Sequence, residues 1–534
     1  MKTAVKLLAL ALALLMLVPC FAACSGGDSG NNDGGNGDQT TTVGGNGSGD
    51  GGENNGDETV DSQYIVDMGG YDFKAYAWMD AHADDNDDPI NPIFYIIDFY
   101  YESISESRDP ITIATWTRNQ EIEANYNCFI TPTKATTNHS VELTNLWSGN
   151  KKYDLAIILD RHAAECATKN LLTDLKSKKN IKLNEAYYDQ NSIDQLSMGG
   201  KLYYLSGEMN ASTLDNACVT IVNDKMYQNA LVAKGEKPVY DKVKDGEWTM
   251  AEMMRLASLV NLDVGEDGIY KIDGGDIWGY LPYATSAIYH FYACGGRITF
   301  IDDDGYPSMA IDSDASIKAI NTLMETINKA NLPTGVTHVW SIDRDPRFAA
   351  EKVLFTDTII WYVRDATYPS VTTWKYGILP MALVDNSQYN PADTKALGYL
   401  STVQYGYNGS CALWCMPSFY NNVEYATILF DAFADFSARP GSTMEAFYTK
   451  TISLQAAKDE NSRQMVDIIK HSLTYDIAGC YDADWGGFQS LIQSIVSTTS
   501  NPVNSITPAK VAQATLNMEF TLEAFKFPSD PDVQ

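Results

Sequence analysis

The chain has 534 residues, 45% hydrophobic and 20% charged, which is enough for two to four globular units and excludes a wholly disordered or multi-spanning membrane protein. Its 69 Asp and Glu against 38 Lys and Arg leave a formal net charge of -31, a surface that repels phosphate backbones and argues against a nucleic-acid partner. Six His and nine Cys are scattered, with no HExxH, CxxC or Walker sequence, so no metal, nucleotide or other cofactor is expected.

Lys2 and Lys6 precede an apolar run from Leu7 to Val18 that is too short to span a bilayer, the pattern of a secretory signal. Phe21-Ala22-Ala23-Cys24 reads as a bacterial lipobox, so residues 1–23 are expected to be removed and Cys24 to carry lipid as the mature N-terminus. An ordinary signal peptide followed by a chance Cys would leave the next segment without a role. From Ser25 to Asp61 the chain is almost wholly Gly, Asn, Asp, Ser and Thr, with eight acidic residues and no aromatic residue, Lys or Arg. Such a stretch cannot bury apolar surface, and residues 24–61 are expected to form a disordered tether reaching roughly 30–40 Å. Anchor and spacer explain each other: several acyl chains hold Cys24, and the body stands off the outer face of the membrane. Of the seven remaining cysteines, at 128, 166, 218, 294, 411, 415 and 480, most read as buried apolar residues. Cys411 and Cys415 could pair only across a turn, since in a strand they would lie too far apart.

Asp72–Met79 alternates apolar and polar positions as a first strand, and Thr117–Asn127 has helix composition. Lys152–Asp160 is a nearly continuous apolar run, as expected of a buried parallel strand. Asn170–Leu175 reads as a helix end running into a loop, Lys201–Ser206 as a short strand behind Gly199-Gly200, and Ala217–Val222 as another strand. Thr249 is expected to cap a helix through Val260, with Glu252 at the capping-box position. Trp278–Tyr292 is dense in aromatic residues, part of them expected in a helix core. Asp304-Gly305 between β-like flanks signals a hairpin, and Ser313–Asn331 reads as an amphipathic helix. Val353–Trp361, Tyr376–Pro380 and Tyr405–Trp414 read as strands; Glu424–Ala438, Met444–Tyr448, Ser462–Ser472 and Phe488–Val496 supply a helical last third. The alternation predicts α/β units with largely parallel sheets, and no internal repeat is visible. The acidic runs Asp302–Gly305 and Asp263–Gly268 lack the ligand spacing of calcium loops and read as solvated turns.

The ordered series of lipobox, tether, Tyr153-Asp154-Leu155, Asp160-Arg161, Leu172-Thr173-Asp174-Leu175, Gly200-Lys201-Leu202-Tyr203-Tyr204, Val222-Asn223-Asp224-Lys225, Gly246-Glu247-Trp248-Thr249 and Tyr376-Gly377-Ile378-Leu379-Pro380 resembles the extracellular solute-binding proteins of family 1. These are the lipid-anchored receptors of bacterial carbohydrate ABC importers, with maltose-binding protein the familiar member. The likeness runs in order from about residue 62 to 525. The Phe94–Pro110 region is longer than in that member, and the strand after Trp361 lacks its Gly-Pro pair. The resemblance implies a two-lobe periplasmic-binding-protein-like α/β fold (type II) with discontinuous lobes joined by a hinge. Lobe one is expected at 62–220 and 354–415, and lobe two at 221–353 and 416–527. Crossings are expected near Val219–Val222, Val353–Phe355 and Cys411–Met416. It further implies a monomeric receptor, not an enzyme, that captures a neutral sugar or oligosaccharide and delivers it to ABC permease subunits.

Candidate ligand contacts follow. Trp78 and Asp80 end the first strand, at the carboxyl edge where open α/β sheets bind ligands; a plain loop role for Asp80 is the alternative. Asp160 and Arg161 match a pair that binds sugar hydroxyls in the family, against the reading of a surface ion pair. Asn216, Tyr283, Thr285, Trp361 and Trp485 match polar or stacking positions there, with buried packing the alternative for both tryptophans. The 32 Tyr and 10 Trp against 18 Phe lean the same way, because these side chains offer an apolar face and a polar handle. Competing readings are an anchored glycan-active enzyme, which needs two carboxylates flanking a bond, a receptor for a non-sugar solute, and an adhesive surface protein.

Overall fold

Five strands form a first sheet, in spatial order β2 (Cys128–Ala135), β1 (Tyr71–Trp78), β3 (Leu155–Leu159), β12 (Ala412–Cys415) and β4 (Tyr204–Leu205). Four form a second: β10 (Tyr376–Leu379), β5 (Cys218–Asn223), β9 (Val353–Ile359) and β6 (Trp278–Leu281). The computed structural model describes residues 66–78, 96–99, 110–135, 139–271, 275–334, 341–364, 374, 376–404, 411–451 and 460–526. The expected signal, Cys24 and the tether lie outside these, as do Asp80 and the side chain of Trp78.

In the first sheet β1 pairs in parallel with β2 and β3, while β12 runs antiparallel to β3 and β4. In the second, β6 and β9 are parallel, and β5 is antiparallel to both β9 and β10. The expectation of largely parallel sheets thus needs a correction: each sheet contains one reversed strand. The reason lies in the connections. Strand β5 is reached from β4 of the first sheet through residues 206–217, and β12 is reached from β10 of the second through residues 380–411. A chain arriving from the other sheet enters at the edge where the parallel strands end, so it runs the other way. The carboxyl edges of both sheets therefore border the junction between them.

Strand pairing also revises the expected lobe limits. Strands β9 and β10 belong with the second sheet, because β9 pairs β5 and β6 and β10 pairs β5. The helix Val423–Ala438 packs Phe430 and Phe433 with Phe73 and Leu155 of the first sheet, so the chain just after 416 stays with the first module. The segment at Val353–Phe355 does not cross between modules. Among the described residues, crossings run through the short helix Ala211–Asp215 and along a parallel two-stranded ribbon of β11 (Ser401–Thr402) and β13 (Leu473–Thr474).

Local sequence signals explain the pieces. Strand β3 is buried throughout because Leu155, Ile157 and Leu159 face one core while Ala156 and Ile158 face the other. Thr249 caps the helix Met250–Ser258, its Oγ1 accepting from the Glu252 amide at 3.2 Å. Asp304-Gly305 turns between β7 (Thr299–Ile301) and β8 (Pro307–Met309), with Gly305 at φ +80° and Asp302 Oδ1 accepting from the Asp304 and Tyr306 amides. All seven described cysteines are free and buried, with Cys411 and Cys415 at the two ends of the β12 segment. Among the described residues no helix is long and apolar enough to cross a membrane.

Candidate functional site

The carboxyl edge of the second sheet gathers the densest set of predicted residues. Strands β6 and β9 both end there, and their continuations bring Tyr283, Thr285 and Trp361 together. A small apolar cluster, separate from the two main cores, joins Cys218, Tyr289, Ala293, Ile359, Trp361 and Met381, with Tyr283 and Tyr362 packed against it. The helix Ile360–Arg364 starts directly after β9, and this places Trp361 and Tyr362 side by side with ring centroids 4.7 Å apart, edge to face.

Arg344, fully buried, organises this wall. Its guanidinium lies 4.5 Å from the centroid of the Tyr283 ring and 4.9 Å from that of Tyr362, holding two half-buried phenol rings on one cation. Its Nε donates to Asp345 Oδ1 at 2.6 Å and its Nη1 to the Asp357 carbonyl at 2.8 Å, so the platform is tied to β9. Burial, followed by the neighbouring Tyr362, pushes the Tyr283 phenol up to about 12, so it remains a neutral hydroxyl. Thr285 sits at the N-cap of the helix Ser286–Ala293, yet its hydroxyl makes no capping bond. The Oγ1 is buried and has no hydrogen-bond partner among the described residues. A buried hydroxyl left unpaired costs about 1–3 kcal/mol, which marks it as an atom awaiting a partner.

Beneath the wall lies a buried polar set. Asp357 accepts from Tyr280 Oη, from Thr220 Oγ1 at 2.9 Å, and stands 3.0 Å from His290 Nε2. Burial pushes its carboxyl up, but the adjoining imidazole and the hydroxyls of Ser286 and Tyr280 outweigh it, leaving the pKa below the usual carboxylate value. A carboxylate so occupied ties β5, β6 and β9 together beneath the sheet edge.

On the first sheet, Asp160 and Arg161 follow β3 at its carboxyl edge, as expected. Asp160 is 1% exposed and already committed. Its N–H donates to the Cys411 carbonyl at 2.9 Å, Oδ1 accepts from the Arg161 amide at 2.8 Å, and Oδ2 accepts from Gln404 Nε2 at 3.2 Å. The reading of Asp160 as a hydroxyl ligand is therefore corrected: it is the buried first residue of the helix Asp160–Thr168, and its carboxylate, held by the Arg161 amide and Gln404, ties that helix to the crossing chain. Arg161 is half-buried beside it, and its charge, after burial, helps lower the pKa of His162.

Two further expectations are corrected. Trp485 is fully buried, its ring stacked on Tyr481 at 4.6 Å and 17° and its Nε1 donating to Thr521 Oγ1 at 3.0 Å, so neither face is left for a ligand. Asn216 is buried at the end of the helix Ala211–Asp215, with Nδ2 donating to the Ser212 carbonyl at 2.8 Å. Trp78 reaches the sheet edge as the last residue of β1.

Sequence reasoning missed Tyr362, Arg344 and Gln404. Tyr362 adjoins the predicted Trp361 and was within reach. Gln404 carries no local signal: its Oε1 accepts from the Asp476 amide at 2.7 Å and its Nε2 donates to Asp160, bridging segments that are distant in sequence. Asp476 in turn accepts from the Ile298 amide at 2.7 Å and from Thr299 Oγ1 at 2.5 Å, in the strand-β7 region.

No protein-family model and no curated protein matches the chain. Solved structures do. A cyclo/maltodextrin-binding protein complexed with maltotetraose is 14% identical, covering 87% of this chain and 99% of its own, with a TM-score of 0.52. The maltose-binding periplasmic protein of Listeria monocytogenes in complex with maltose is 13% identical over 85% of this chain and 98% of its own, TM-score 0.47. The galacto-N-biose-/lacto-N-biose I-binding protein of Bifidobacterium longum in complex with lacto-N-biose is 12% identical over 86% and 99%, TM-score 0.47. The fold is the two-lobe, type II periplasmic-binding-protein fold, its two sheets open and its helices interleaved.

Proposed function

We propose that the protein is a solute receptor of an ABC importer that captures a neutral sugar or oligosaccharide between its two sheet modules. The observation that carries this reading is the wall of Trp361, Tyr362 and Tyr283 beside the buried hydroxyl of Thr285, which has no hydrogen-bond partner among the described residues. Aromatic faces suit the C–H faces of a pyranose, and unpaired buried polar groups suit its hydroxyls. The net charge of -31 favours an uncharged solute over an anion. Two-lobe sugar-binding neighbours support the same reading. Ligand contacts on both modules would draw them together about the crossings at 216–217, 401–404 and 473–476, and an ABC permease would read the closed form. Cys24 carries the lipid that holds the receptor at the outer face of the bacterial cell membrane, with residues 25–61 as its spacer.

The test is calorimetry and thermal shift of residues 62–534 against a library of neutral mono- and oligosaccharides, with product analysis of each mixture. Saturable binding of a neutral glycan without turnover is expected. Turnover would favour a glycan-active enzyme, and binding confined to phosphorylated or carboxylate-bearing solutes would overturn the neutral-sugar assignment.

A further inference from the structure

Away from the aromatic wall lies a cavity of about 320 Å³, none of whose lining residues belongs to that wall. This is the small end of the range for small-molecule sites, about 300–1,000 Å³. Its walls come from both modules: the loop after β4 supplies Glu208, the crossing helix Ala211–Asp215 supplies Thr213 and Leu214, and the helix Glu460–His471, packed on β10, supplies Lys470. The lining carboxylates Asp189 and Glu208 are balanced in number by Lys395 and Lys470, with the ring of His471 beside them. Lys470 Nζ donates to Glu208 Oε1 at 2.5 Å, and its ammonium also lies 5.2 Å from the Tyr448 ring centroid. Asp189 accepts from Tyr475 Oη at 2.7 Å and from the Asn191 amide at 3.0 Å. Met444, Leu214 and Leu473 add apolar surface. A cavity whose lining acids and lysines balance in number, with amide and hydroxyl groups and an apolar side, offers hydrogen bonds without a large net charge, which suits an uncharged polyol ring better than an ion.

We propose that this cavity is a second solute site, taking one neutral, polyhydroxylated ring of monosaccharide size, independent of the site at the second sheet edge. Glu208 and Asn191 accept from ring hydroxyls, Lys470 donates to a ring or hydroxyl oxygen, and Met444 and Leu473 cover the C–H face.

The test titrates the folded body (residues 62–534) with D-glucose, D-galactose, D-mannose and N-acetylglucosamine, each up to 50 mM, using wild type, Ala186→Trp, Glu208→Gln and Trp361→Ala. Ala186 is exposed at the cavity rim, so the larger side chain fills the mouth without disturbing a core. At least one sugar is expected to bind wild type and Trp361→Ala alike, to bind Glu208→Gln at least 5-fold more weakly, and to be lost in Ala186→Trp. Binding that survives Ala186→Trp, or that disappears in Trp361→Ala, assigns it to the sheet-edge wall and overturns the proposal. Absence of binding by all four sugars overturns it as well. Oligosaccharide binding by Ala186→Trp tests the main functional reading separately, since that variant leaves the aromatic wall intact.

Discussion

Trp485→Ala and Trp361→Ala separate core packing from ligand contact. Trp485 is fully buried and stacked on Tyr481, and it bonds to Thr521. Removing a buried Trp costs about 3–5 kcal/mol from lost burial and the residual cavity. The stacked pair contributes about 1 kcal/mol of coupling beyond that area. The lost Nε1 bond adds little, because the Thr521 hydroxyl still donates to the Asn517 carbonyl at 3.1 Å. About 4–5 kcal/mol is a large part of a typical folding free energy of 5–15 kcal/mol. The affinity of whatever fraction stays folded should change less than about 2-fold. Trp361 belongs instead to the small edge cluster and retains 8% exposure. Truncating it should cost about 2 kcal/mol in binding, a Kd some 30-fold weaker, which is the scale of an aromatic anchor in a desolvated pocket. Urea unfolding gives the stability change, and calorimetry with the glycan selected by screening gives the affinity. The reasoning fails if Trp485→Ala weakens binding 30-fold while leaving the unfolding midpoint in place, or if Trp361→Ala binds like wild type.

Thr285→Val should leave the unfolding midpoint unchanged or slightly raised, since it removes an unpaired buried hydroxyl, while weakening glycan binding by up to about 10-fold; an unchanged Kd in calorimetry would remove Thr285 from the site. Stability should fall as pH rises from 5 to 7.5, because burial pushes Asp98 up to about 7 and Asp189 up to about 6, so the folded state holds protons there that the unfolded state has released. That contribution is fully present below about pH 4 and lost as pH passes each raised pKa; Asp98→Asn should flatten the melting-temperature profile measured across this range. Cys24→Ala should release the protein into the medium, and a variant that stays with membranes after a high-salt wash would refute the anchor.

The strand and helix order was legible because each element carries a strong local signal. The buried run at 155–159, the Thr249 cap and the Asp304-Gly305 turn all sit close to where their residue types demand. What escaped was the assignment of pieces to modules. Strand β9 reads equally well as an apolar run in either sheet, and only its pairing with β5 and β6 decides. The short strand β6 hid within an aromatic-rich stretch that resembles a helix core, and β2 follows its helix across the single left-handed residue Asn127, φ +48°, too short a break to separate the two by composition. In the candidate site, Tyr283 and Thr285 entered through the family resemblance and Trp361 through its place at the end of the strand-like run Val353–Trp361; the structure brings these positions to one sheet edge. The committed roles of Asp160 and Trp485 were not legible, since a sequence shows that a carboxylate or an indole is present but not that Gln404 or Tyr481 has already taken it. Arg344 illustrates the same limit: its part in holding two tyrosine rings arises from three segments that meet only in space.

The link through Gln404 also bears on how a ligand could move the modules. Its amide is buried at the crossing, bonded to Asp160 beside the first sheet and to the amide of Asp476, whose carboxylate is held by Ile298 and Thr299 of the second module. A rotation about the crossings must stretch or exchange these bonds, each with a net contribution of about 0.5–1.5 kcal/mol. Their sum is a few kcal/mol, below the roughly 5.5 kcal/mol of differential affinity that drives a two-state equilibrium from one extreme to the other. A glycan that contacts both modules can therefore shift the population with ordinary binding energy. The same directional bonds restrict the modules to a few relative positions, which the shared apolar packing alone would not do. An apolar junction would slide; a junction pinned by Gln404 and Asp476 has discrete arrangements.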